Sequence, residues 1–145
     1  QRQEWEYAHH TNERTRASYL ADDFDPIAEA GLFDFVDGEE EILPGISVVP
    51  TPGHTPHHQS VLIRSGGRTA CYLGDVVPTV AHLPLPWIMG YDVEPLVTLE
   101  SKRRILAQAL EERWLLIFTH DPVVPWGVLR QEDGKLVIRD EPLGS

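Results

Sequence analysis

Residues 51–60 read Thr51-Pro52-Gly53-His54-Thr55-Pro56-His57-His58-Gln59-Ser60, a histidine-rich loop that begins where the apolar Val48-Val49 stops. Two shorter stretches repeat that arrangement. Cys71-Tyr72-Leu73 runs into Gly74-Asp75, and Leu115-Leu116-Ile117-Phe118 runs into Thr119-His120. Short apolar runs bounded by turn residues are the signature of buried strands. In layered α/β folds ligands gather outside strand ends, where loops have freedom and the sheet supplies rigidity. Two imidazoles, His54 and His120, and one carboxylate, Asp75, at three such ends predict a single converging metal site. All three are ordinary zinc ligands in type.

The segments around this loop predict an α/β domain. Ile46 to Val49 reads as a strand opened by Pro44-Gly45. Ser60–Arg64 and Arg68–Leu73 read as a hairpin turned by Ser65-Gly66-Gly67. The proline-rich segment from Val76 to Tyr91 excludes a long helix or central strand and reads as an ordered loop. Asp92-Val93-Glu94-Pro95 then starts the longest helix, running to about Arg113, with Leu96, Leu99, Leu106 and Leu110 at helical spacing. Trp114–Phe118 follows as a buried strand, and Glu132-Asp133-Gly134 turns a terminal hairpin. Upstream, residues 1–12 read as the tail of a strand and Glu13 to Leu20 as a short helix. A second helix is expected from Pro26, capped by Asp25, to Ala30, and a short strand around Phe33–Val36.

Composition narrows the function classes. At 145 residues, 41% hydrophobic and 24% charged, the chain has the size and balance of one globular domain. A net charge of −11 argues against nucleic acid and anionic membrane as partners, both of which demand basic patches. The lone Cys71 excludes an internal disulfide, which fits a reducing, cytoplasmic setting. No apolar stretch reaches membrane-crossing length.

The ordered motifs TPGHTP-HQS, LGD and TH after an apolar strand resemble those of the metallo-β-lactamase-fold hydrolases. The likeness runs from about Leu43 to Gly127 and is nearest to their lactonase-like and glyoxalase II-like branch. It implies an αββα sandwich, with residues 1–145 as its second half. The family's leading H-x-H-x-D-H signature belongs earlier in the chain and does not occur here. By this resemblance His54 completes a first zinc site, His120 a second, and Asp75 bridges both, with the remaining ligands on H-x-H-x-D-H. Two zinc ions about 3.5–4 Å apart would hold a hydroxide that attacks an ester-like bond in a lactone, thioester or related small molecule. The alternative is a non-catalytic fragment, or a half-enzyme needing an upstream polypeptide to complete the metal site. An uncovered sheet would then favour self-association or pairing with an N-terminal half.

Other residues receive secondary roles. His58 is expected to orient the loop through a ring N–H. His82 and Tyr91, in the loop after Asp75, are candidates for contacting a substrate carbonyl or leaving group. His57 stands where the family's motif usually has glycine and reads as a tolerated loop substitution. His9-His10 read as surface, Cys71 as a buried small apolar residue, and Trp87, Trp114 and Trp126 as core or loop anchors.

Overall fold

A computed structural model of the chain describes residues 1–141. Their strands form one mixed sheet in sequence order: β1 (Glu40–Leu43), β2 (Ile46–Pro50), β3 (Gln59–Ser65), β4 (Arg68–Tyr72), β5 (Leu115–Ile117), β6 (Trp126–Glu132) and β7 (Lys135–Arg139). Every neighbouring pair is antiparallel except β4 and β5. A parallel pair needs a crossover. The loop after Asp75 and the helix Pro95–Glu111 supply it.

The pleat decides what lies where. Val49, Leu62, Cys71, Leu116 and Leu129 share a core with Ile105, Leu106 and Ala109 of that helix, together with Leu73, Val76, Val77, Leu83, Trp114 and Phe118. Alternate residues point to the opposite face. There the cross-strand rows are Ile63–Ala70–Leu115–Val128 and Val61–Tyr72–Ile117–Trp126. Both rows are apolar, yet Ile63, Tyr72 and Trp126 are 40%, 38% and 57% exposed. Val48 and Val128 on the same face are buried, so the face is covered in part; one mixed sheet with helices and one partly uncovered apolar face corresponds to one half of a double-sheet sandwich. The expected αββα sandwich is therefore present in part among the described residues.

The N-terminal third departs from expectation. Residues 1–12 hold no strand: Arg2–Ala8 is a helix, α1. Its Trp5 packs edge-on against Phe24 and Phe33, with ring centroids 5.5 Å away from each, and in a tilted contact against Phe35 at 5.8 Å. Glu13–Leu20 contains only a single 3₁₀ turn, Arg16–Ser18. The helix expected at Pro26–Ala30 begins earlier, as α2 (Ala21–Glu29), with Pro26 inside it. Proline's fixed φ is helical, so it removes one backbone bond without ending so short a helix. Phe33–Val36 forms no strand; the backbone N–H of Arg2 donates to Val36 O at 3.0 Å, and the aromatic rings fill the cluster around Trp5. Pro44-Gly45 turns β1 into β2 instead of opening a new sheet segment. Of the three tryptophans expected to anchor core or loops, Trp114 is fully buried, whereas Trp87 and Trp126 are largely exposed.

The helix Pro95–Glu111, α3, is amphipathic with an unusual inner face. Besides Ile105, Leu106 and Ala109 it buries Thr98, Ser101 and Lys102. Buried polar groups need partners: Thr98 Oγ1 donates to Glu94 O at the start of the helix, while Ser101 and Lys102 reach the loops beside the candidate site.

Candidate functional site

The three strand-end loops meet at the C-terminal ends of β2, β4 and β5. Asp75, in a 3₁₀ turn after β4, stands between the two imidazoles. His54 Nε2 is 3.4 Å from Asp75 Oδ2, and His120 Nε2 is 3.0 Å from Asp75 Oδ1. Each ring thus faces a different carboxylate oxygen. Oδ1 is buried and has no hydrogen-bond partner, since the His120 approach lacks hydrogen-bond geometry. The backbone of His120 is fixed by its N–H donating to Pro78 O at 3.0 Å, while its side chain is 60% exposed.

His58 holds Asp75 from behind. The Asp75 backbone N–H donates to His58 Nε2 at 3.0 Å, so that nitrogen is the acceptor and the proton sits on Nδ1. The Nδ1–H lies 2.9 Å from Thr51 Oγ1 and 3.1 Å from Thr51 O. Ser60 Oγ donates to Leu73 O at 3.0 Å, which leaves the Thr51 hydroxyl to donate to Ser60 Oγ at 2.9 Å. The chain of donors closes only with a neutral imidazole. Burial pushes the His58 pKa down, in keeping with that form. Gly74, at φ +59°, allows this approach, because a Cβ there would lie 2.5 Å from His58 Nε2.

His54 is oriented by a residue that sequence reading passed over. Asp92, expected only to start the long helix, is buried, and its Oδ1 accepts from His54 Nδ1 at 2.9 Å. A hydrogen bond from one ring nitrogen to a carboxylate fixes the tautomer and aims the other nitrogen outward. Here that leaves Nε2 toward Asp75. The bond to Asp92 raises the His54 pKa against the opposing effect of burial, and the Asp75 charge adds to it. No local signal links residues 38 apart. Glu4 was missed for the same reason: from α1 it accepts the His57 backbone N–H at 3.0 Å and the Tyr19 hydroxyl. His57 itself has no positive φ, so the loop accommodates a side chain there.

The cluster opens into a cavity of about 670 Å³ lined by His54, Asp75 and His120 together with His82, Met89 and Tyr91. His82 Nδ1 bonds Thr79 Oγ1 at 2.8 Å, and its pKa is lowered by burial and by the Lys102 charge. Tyr91 is 84% exposed at the rim.

The profile of the Metallo-beta-lactamase superfamily matches residues 2–120. The chain belongs to that superfamily. Within it, an N-acyl homoserine lactonase from a Bacillus species is 31% identical over 124 residues, 83% of this chain and 45% of the relative. A probable metal-dependent hydrolase from Staphylococcus aureus superposes with a TM-score of 0.82 at 24% identity, over 99% of this chain and 52% of that one. AidC, a dizinc quorum-quenching lactonase, superposes at 0.71 with 18% identity, over 94% and 47%. This chain therefore spans about half the length of the relatives it matches.

The donors among the described residues do not make a complete superfamily metal centre. His54, Asp75 and His120 would offer a metal two imidazoles and one carboxylate, too few for two zinc sites of three or four protein donors each. Among the described residues no group of three or more His, Cys, Asp or Glu side chains is arranged to hold a metal ion. Nor is any described helix long and apolar enough to cross a membrane.

Proposed function

We propose that this chain supplies part of the active site of a metal-dependent hydrolase that opens a small ester-like substrate, such as a lactone. In this reading His54, Asp75 and His120 are its share of the metal ligands. The remaining ligands come from polypeptide outside the described residues, in the H-x-H-x-D-H form that the family resemblance implies, which makes this chain the second half. His58 and Asp92 hold Asp75 and His54 in place, and His82 and Tyr91 lie where a substrate in the cavity would meet them. The carrying observation is the Asp75 carboxylate, whose two oxygens face two different imidazoles while the buried Oδ1 lacks a hydrogen bond. Lactonase relatives support the substrate class.

The test is zinc content per chain and lactone opening, measured on the chain by itself and after mixing with a polypeptide bearing H-x-H-x-D-H. By itself the chain should hold less than one tightly bound zinc, because ordering loops around few donors leaves little net affinity. The mixture should hold two and open lactones, and Asp75→Asn should abolish both gains. Two zinc ions and activity without the added polypeptide would overturn the reading. A second reading, a fragment that folds without metal, draws on the lack of a three-donor group among the described residues; it expects no zinc under either condition.

A further inference from the structure

Outside the His–Asp cluster, the most deeply placed charge is Lys102 on α3, whose residue exposure is 0%. Its Nζ donates to three backbone carbonyls, Pro84 O at 2.8 Å, Leu85 O at 3.3 Å and Trp87 O at 2.7 Å. Three acceptors match the three protons of an ammonium group. Asp92 and His82 are the titratable groups whose fields act on it or receive its field. Neither forms an ion pair with it among the described residues. Burial dominates and pushes its pKa down to about 8, with Asp92 opposing.

A buried ammonium without a paired carboxylate costs stability, and an apolar side chain of equal length would fill the same space without that cost. What the apolar chain would not do is satisfy three inward-pointing carbonyls. Those carbonyls belong to 84–87, the proline-containing middle of the loop that carries His82 on one side and Met89 and Tyr91 on the other. Next to it on α3, Ser101 Oγ donates to Pro52 O at 2.7 Å, and Gly53 lies against Thr98, one turn earlier, so closely that a Cβ would come within 2.2 Å of its backbone nitrogen. A single polar turn of α3 thus grips both the loop bearing His54 and the loop bearing His82 and Tyr91.

We propose that Lys102 is a positioning residue of the cavity, its ammonium fastening residues 84–87 so that His82 and Tyr91 face the His54 loop held by Ser101. The inference concerns the chain's own loops and is independent of whether the site is ever metal-loaded.

Lys102→Met tests it, read by hydrogen exchange and thermal melting. The amides of Trp87 and Asp92, which donate to Pro84 O and Met89 O within the loop, are the reporters. Their exchange should accelerate about tenfold or more, while β2–β4 amides and the melting temperature change little, since removing a buried charge offsets the unpaired carbonyls. Unchanged exchange at Trp87 and Asp92 would overturn the proposal, because the prolines would then be holding the loop unaided. Should the variant fail to fold, the unmodified chain decides. It has two lysines, Lys102 and the exposed Lys135. In a ¹⁵Nζ-lysine spectrum one ammonium should show slowly exchanging protons and titrate near 8. Two fast-exchanging signals titrating together would refute the buried, three-bonded ammonium.

Discussion

Single residues at this site are held by backbone partners more than by one another. His58 commits one ring nitrogen to the Asp75 N–H and the other to Thr51, and Lys102 gives all three protons to carbonyls. The cost of burying Lys102 carries a pH signature. Its pKa falls from the ordinary 10.5 to about 8 on folding. Between those values the unfolded chain binds a proton that the folded chain has released, so stability contributed by this group rises with pH across that window. Below about 8 both states are charged and the full desolvation cost remains. Urea midpoints of the unmodified chain relative to Lys102→Met should therefore shift in favour of the unmodified chain between about pH 7 and about pH 10. A difference that stays flat would mean the ammonium is solvated.

At the scale of elements, the site depends on how tightly the 51–60 loop lies on α3. Gly53 has φ +133° and a Cβ there would meet Thr98 at its backbone nitrogen, its Oγ1 and its Cα, all within 2.5 Å. Gly53→Ala should destabilise the domain by roughly 2–5 kcal/mol, backbone strain and overpacking acting together. The comparison is with Gly66→Ala, in the β3–β4 turn, where a Cβ meets open space and only the φ penalty applies. Equal denaturation midpoints for the two variants would show that the loop does not need this approach. The central strands and α3 were legible beforehand because each has its own apolar period and turn residues at its ends. The N-terminal elements were not: α1 and α2 are short and acidic, and what selects helix over strand there is aromatic packing around Trp5, which has no sequence period.

For the molecule as a whole, the partly uncovered face of the sheet is the dominant feature. Ile63, Tyr72 and Trp126 expose apolar surface in rows that continue across β3 to β6. Burial of such surface is favourable at about 25 cal/mol per Å². The isolated chain should therefore self-associate, with a light-scattering mass that climbs with concentration. Its net charge of −11 opposes contact between copies, so added salt should strengthen the association. Lysine at Ile63 and at Tyr72 should weaken it. A monomer at every concentration and salt would mean this face is covered some other way.

What the sequence by itself determined is the succession of strands β2 to β6 along the chain, the long helix between β4 and β5, and the three strand-end positions of His54, Asp75 and His120. Hydrophobic period and turn chemistry are local, and local information suffices for them. Only the tertiary structure decided that His54 leans on Asp92, that His58 carries the Asp75 backbone, that Glu4 reaches the motif loop and that Lys102 grips 84–87. It also decided that one sheet face stays partly open. These are meetings of residues many positions apart, chosen by burial and hydrogen-bond completion once the chain is folded, and neither leaves a mark in the spacing of amino acids.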